Sequence, residues 1–182
     1  MNSNLEEIIE TPMDDSTIKE YLPTAKIITN KDLLKYKKIE DIFDKKKPID
    51  FVIYLQMDKP NAGHWLVLNK IGDTIEFFDS YGKPPHEVYN YPSEEQRIKL
   101  GTNHDYLSEL LNNYKGNVVY NPIQYQEDLT DVNTCGRHCC YRVMTLFGKG
   151  FSLPKYYKWM KYAKNYLKSN NYDEVVSKLI NL

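Results

Sequence analysis

Apolar residues gather along this chain in short blocks whose spacing changes from one block to the next. Phe51-Val52-Ile53-Tyr54-Leu55 is a continuous apolar run of strand length, set off by the solvated Lys45-Lys46-Lys47-Pro48 loop. Gly63-His64-Trp65-Leu66-Val67-Leu68 and Ile75-Glu76-Phe77-Phe78 predict two more strands, joined as a hairpin through Asn69–Asp73, and Asn117-Val118-Val119-Tyr120 predicts another. Leu107, Leu110, Leu111 and Tyr114 recur instead at helical spacing. Asp14-Asp15-Ser16 predicts the start of a short helix reaching Leu22 before Pro23, and Asn30 is expected to cap another through about Tyr36. A further helix is expected from Cys135 to about Phe147. Beyond Pro154, Tyr156, Trp159, Met160, Ala163 and Leu167 make an apolar stripe, with Lys155, Lys158, Lys161, Lys164 and Lys168 on its exposed side.

Strand and helix signals mixed in this way predict an α+β fold, a mixed central sheet flanked by helices. A chain of 182 residues suits a single domain, 1–182, with a C-terminal helical extension over 154–182. Residues 1–12 read as a flexible arm or, through Leu5, Ile8 and Ile9, as a small docked helix. A net charge of −1 with 27% charged residues does not mark a wholesale polyanion binder. The lysine face is accordingly read as solvated, with weak DNA contact as its functional alternative. No apolar run approaches membrane-spanning length, so no membrane partner is expected. The cysteines number 3, two of them adjacent, which is no disulfide framework and fits a reducing setting.

The candidate chemistry begins at Asn133-Thr134-Cys135-Gly136-Arg137-His138-Cys139-Cys140. A cysteine at a helix start meets unpaired N–H groups and a partial positive charge, which favour a thiolate and can steady an oxyanion. Gly136 beside it would let a substrate backbone approach closely. The structural alternative is a small buried cysteine at a turn. Zinc held by Cys135, His138, Cys139 and Cys140 is a rival, but the paired ligand spacing of a closed site is not repeated elsewhere, so no metal is expected. Upstream, His64 opens one strand of the expected hairpin and Asp79 closes the other. Antiparallel pairing makes those two ends neighbours, which is the base and orienter arrangement a nucleophilic cysteine needs.

The ordered set His64, Asp79, a glutamine in Asn121-Pro122-Ile123-Gln124-Tyr125-Gln126, and then Cys135-Gly136 resembles the cysteine peptidases grouped with the adenovirus maturation protease and the SUMO-specific proteases. Gly63-His64-Trp65, Phe77-Phe78-Asp79-Ser80-Tyr81-Gly82 and Thr134-Cys135-Gly136-Arg137-His138 look most like members from virophages and Polinton-like viruses, over about residues 14–150. The resemblance implies an adenovirus-protease-like fold, with Cys135 as nucleophile, His64 as base and Asp79 as its orienter. It also implies an oxyanion-hole glutamine. Gln126 is preferred because it lies nearer Cys135, with Gln124 as the alternative and more of a structural residue. Trp65 would cover a narrow channel admitting glycine before the scissile bond, although a strand tryptophan is also an ordinary core residue.

The implied activity is a viral maturation endopeptidase. It would cleave capsid or other structural precursor proteins at glycine-containing sites, in the host cytoplasm at the viral factory and in the virion. No cofactor is required by this chemistry, although the resemblance leaves room for an activating peptide or DNA. A processing isopeptidase for ubiquitin-like modifiers uses the same catalytic order. An inactive protein-binding domain on the same fold is the non-enzymatic alternative.

Overall fold

The computed structural model describes residues 3–180. In chain order the elements are helices α1 (Ser3–Glu10) and α2 (Asp15–Tyr21), then strands β1 (Lys26–Thr29), β2 (Ile49–Lys59), β3 (Ala62–Ile71) and β4 (Thr74–Phe78). Helices α3 (Pro85–Val88), α4 (Glu94–Leu100) and α5 (Tyr106–Asn112) precede strand β5 (Asn117–Tyr120), and helices α6 (Cys135–Lys149), α7 (Leu153–Tyr166) and α8 (Tyr172–Leu179) close the chain. They form two compact units: a sheet unit of residues 25–79 and 83–122, and a helical unit of residues up to 24, 80–82 and from 123 onward. The end positions 1–2 and 181–182 of the expected arm and extension lie outside the described residues. No helix among the described residues is long and apolar enough to cross a membrane.

The sheet unit carries a five-stranded mixed sheet in the order β1-β2-β3-β4-β5, so the architecture is mixed α+β. The outer pairs β1/β2 and β4/β5 are parallel, while β2/β3 and β3/β4 are antiparallel. One face packs Val52, Tyr54, Leu66, Leu68, Ile75 and Phe77 against Leu107, Leu110 and Leu111 of α5. Tyr114 lies beyond the end of α5 and packs against this core half-buried.

The β3–β4 hairpin is tighter than its sequence suggests. Only Gly72 and Asp73 connect Ile71 to Thr74, with Gly72 in the left-handed region that such a turn needs. Asn69, read as loop because it is polar, is a fully buried strand residue whose Nδ2 donates to Glu76 Oε1 across the ladder at 2.9 Å. That bond gives the buried amide nitrogen its acceptor.

The helix expected from Asn30 is a short 3-10 turn, Asp32–Lys35, and Asn30 does not cap it. Asp32 Oδ2 instead accepts from the Thr29 amide at 2.9 Å, and the buried Asn30 amide reaches the Met57 carbonyl.

In the helical unit, residues 3–10 form a docked helix, with Leu5, Ile8 and Ile9 half-buried and α1 against α8. Asp14 caps α2 by accepting from the Thr17 amide at 2.8 Å. Helix α6 is buried almost all round through Val143 and touches α2 and α8. On α7, Tyr156, Met160 and Ala163 are buried, whereas Lys155, Lys158 and Lys161 are exposed and Lys164 is half-buried; Leu167 and Lys168 lie past the helix end. The apolar stripe and lysine face thus sort as helical spacing requires.

Candidate active site

His64 lies near the start of β3, on the face that also carries Leu66 and Leu68, and its Cα partner across the sheet is Gln56. Asp79 follows the last residue of β4 on the same side as Phe77. His64 Nε2 and Asp79 Oδ1 are 2.7 Å apart. The carboxylate is fully buried and the histidine side chain is 11% exposed.

Burying a carboxylate is costly unless its oxygens find donors. Asp79 Oδ2 accepts from Tyr91 Oη at 2.6 Å and from the Lys83 amide at 3.2 Å. Its own carbonyl accepts from Asn121 Nδ2 at 2.7 Å, which pins the strand end. An imidazole whose Nε2 faces such an acceptor keeps its proton there, so a proton taken from another group is taken at Nδ1. Tyr91, Asn121 and the Lys83 amide carry no sequence signal of this role. Their bonds depend on how the 83–121 segment returns to β4.

Trp65 is buried and sits opposite Leu55 in the ladder. Successive strand residues face opposite sides, so it points away from the face of His64 and packs on the side of Val67.

The helical unit holds the other sequence-derived residues. Cys135 is the first residue of α6, half-buried and outside any disulfide. The N-cap residue Thr134 makes no side-chain bond to the first turn. Arg137, in that turn, donates Nη1 to the Thr11 carbonyl at 2.6 Å. Burial pulls its pKa below the usual arginine range. A guanidinium coupled to a cysteine at a helix start is a setting that favours thiolate. Cys139 and Cys140 are fully buried, and burial pushes the Cys140 thiol up to about 12 against the pull of Arg137.

Gly136 has a reason internal to the fold. A Cβ there would lie 2.9 Å from Met13 Cβ and 3.3 Å from its Sδ, so the space next to the glycine is filled by the chain itself. Asn133 strengthens this seat, its amide donating to the Ile9 carbonyl at 2.9 Å and its Nδ2 to Glu10 at 2.8 Å.

Of the two glutamines, Gln126 is 1% exposed and is built into a network. Its Oε1 accepts from Ser80 Oγ at 2.8 Å, and its Nε2 donates to the Val132 carbonyl at 3.0 Å and to Tyr81 Oη at 3.2 Å. The Ser80 carbonyl also accepts from the amides of Tyr125 and Gln126. Gly82, at φ +73, allows this close pass, since a Cβ there would meet the Ile123 backbone at 2.6 Å. Gln124, expected to be the more structural of the two, is the exposed one, and its Nε2 donates to the Gln126 carbonyl at 3.0 Å.

His64 and Asp79 therefore stand together in the sheet unit with Trp65 beside them in sequence, while Cys135, Gly136, Gln124 and Gln126 belong to the helical unit.

No protein-family model matches the chain. Among solved structures, ChlaDub1 from Chlamydia trachomatis is similar over 99% of this chain and 88% of its own, at 13% identity and a TM-score of 0.40, too distant to carry an argument. The uncharacterized protein V9 of Sputnik virophage is 34% identical over 133 residues, which are 72% of this chain and 74% of that protein. At that identity and coverage, the chain belongs to the same family as virophage protein V9.

Proposed function

We propose that this chain is a viral cysteine endopeptidase of the adenovirus-protease-like kind, which matures capsid or other structural precursor proteins at glycine-containing sites. The observation that carries the reading is the His64–Asp79 pair, 2.7 Å apart with the carboxylate fully buried. A histidine held this tightly by a saturated carboxylate has one tautomer and one orientation, which is what a general base needs. The virophage relationship supports the viral part of this reading, and in it the protein acts in the host cytoplasm and in the virion.

In this mechanism Cys135 Sγ gives its proton to His64 Nδ1 and attacks the scissile carbonyl carbon. The carbonyl electrons move to oxygen, where the Cys135 amide and the Gln126 side chain donate to the oxyanion. Collapse of the intermediate breaks the C–N bond, and imidazolium returns its proton to the leaving amine. Water, deprotonated by His64, then hydrolyses the thioester and restores the thiol. For Gln126 to donate, its longer bond, to Tyr81 Oη at 3.2 Å, is the one exchanged. The mechanism itself calls for no metal or cofactor.

The test is incubation of the purified protein with structural precursors of the same virus and with ubiquitin-like precursors, mapping new termini by mass spectrometry. Cleavage of the structural precursors by wild type and not by His64→Ala supports the reading. Cleavage confined to ubiquitin-like precursors transfers the assignment to an isopeptidase, and no cleavage of either overturns the enzyme reading.

A further inference from the structure

Asp173, at the start of α8, is fully buried and plays no part in the chemistry proposed above. Its Oδ2 accepts from the Glu127 amide at 2.9 Å. Its Oδ1 accepts from Thr134 Oγ1 through a short bond and pairs with His138 Nε2 at 3.0 Å. Thr134 and His138 are also fully buried. These donors are not scattered: Glu127 directly follows Gln126, Thr134 directly precedes Cys135, and His138 lies one turn into the helix that Cys135 opens. One carboxylate therefore ties down both ends of the 127–134 excursion and the first turn of α6.

We propose that Asp173 is a positioning residue for Cys135, fixing the thiol and the Gln126 backbone to a common anchor supplied by α8. The proposal rests on the cysteine peptidase reading. A threonine at an N-cap ordinarily turns its hydroxyl toward the helix and accepts from a first-turn amide. Thr134 makes no such bond, and its hydroxyl is turned instead to donate to Asp173. The partial positive charge of the α6 start is thus left without a side-chain cap at the residue that uses it. The tie also gives Nε2 of the buried His138 its partner from within α6. The nearest charge of opposite sign on the same turn, Arg137, is directed to the Thr11 carbonyl and leaves Asp173 to the neutral donors and His138.

The experiment is alkylation of Cys135 by iodoacetamide across pH, with the labelled residue mapped and the fold checked by circular dichroism and thermal melting. It needs no substrate. Loss of a negative charge by itself would favour the thiolate and speed the reaction, whereas loss of positioning slows it, so the direction separates the two. Asp173→Asn, folded, is expected to slow alkylation at neutral pH by about fivefold or more. Thr134→Val should slow it less, and Thr134→Ser, which keeps the hydroxyl, should restore the wild-type rate. Thr134→Val leaves the carboxylate in place and carries the test if Asp173→Asn does not fold. Fast wild-type alkylation that is unchanged or faster in these variants overturns the positioning role alone. Wild-type Cys135 no more reactive than free cysteine overturns the peptidase reading, and the positioning role with it.

Discussion

Tyr91 donates its hydroxyl to Asp79 Oδ2 at 2.6 Å and sets its ring edge-on to the His64 imidazole, with centroids 5.3 Å apart. One side chain thereby touches both members of the proposed base pair, holding the carboxylate by a bond and the imidazole by packing. Tyr91→Phe keeps the ring and removes the donor, leaving Asp79 with one fewer partner in a buried site. The expected loss is about 1–3 kcal/mol of stability, as for a hydrogen bond to a charged group. Turnover should fall severalfold, because the imidazole keeps its Asp79 bond but the carboxylate is less firmly held. Urea melts and rates of the purified variant check both; an unchanged rate would show that the carboxylate is oriented without the Tyr91 hydroxyl.

The cysteines separate by burial. With its thiol pushed up to about 12, Cys140 stays protonated at neutral pH, and a thiol below its pKa is a poor nucleophile. An electrophilic peptide probe should therefore label Cys135 alone near pH 7, and Cys140 should react only toward strongly alkaline pH or after unfolding. Cys135→Ala should abolish both labelling and turnover with the fold intact, while Cys139→Ala and Cys140→Ala keep both. Mapping the modified peptide decides the matter. Labelling at Cys139 with normal turnover in Cys135→Ala would remove the nucleophile assignment.

The neighbourhood of His64 and Asp79 was legible because strand pairing is written in local pattern: two apolar runs and a turn place their outer ends side by side. The same rule misplaced the turn. Asn69 donates to Glu76 inside the sheet, and a polar residue with a buried partner cannot be told from a loop residue along the chain. The 3-10 turn after β1 escaped for a similar reason, since the Asp32 amide that an Asn30 cap would bind donates to Thr29 Oγ1. What surrounds the candidate site was least legible. Tyr91 reaches Asp79, and Asp173 reaches Thr134, through contacts set by tertiary return of the chain, and no spacing announces them. Gly136 was read as room for substrate, whereas its reason within the fold is Met13, a residue far upstream.

That contact makes Gly136→Ala a sharp probe. The added methyl would lie 2.9 Å from Met13 Cβ, so the segment between α1 and α2 must shift. Overpacking of this kind costs about 1–3 kcal/mol. Met13→Ala in the same background removes the Sδ and Cγ contacts but leaves the Cβ, so it should relieve only part of the strain. A double-mutant cycle on melting free energies measures the coupling. Full additivity would mean that the two residues do not press on each other.

Gln126 is bound into the fold more closely than its sequence position suggests. From the sequence, truncating a donor that acts only on the transition state should lower kcat with little change in folding. The structure corrects the second half, because the amide is buried and serves Ser80, Tyr81 and Val132. Gln126→Ala should therefore destabilise the protein by about 1–3 kcal/mol, the cost of buried polar groups left without partners. If Gln126 is also the oxyanion donor, kcat should fall by about a hundredfold or more even below the melting transition, where the variant is fully folded. Gln126→Glu keeps the acceptor for Ser80 but replaces the donor to the Val132 carbonyl with a buried carboxylate oxygen, so it should lose stability as well as kcat. Gln124→Ala, at an exposed position whose amide only supports the Gln126 carbonyl, should leave kcat nearly intact. Rates and melting free energies for the three variants form the test. A large kcat loss in Gln124→Ala, with Gln126→Ala losing stability alone, would move the oxyanion role to Gln124 and leave Gln126 as part of the frame.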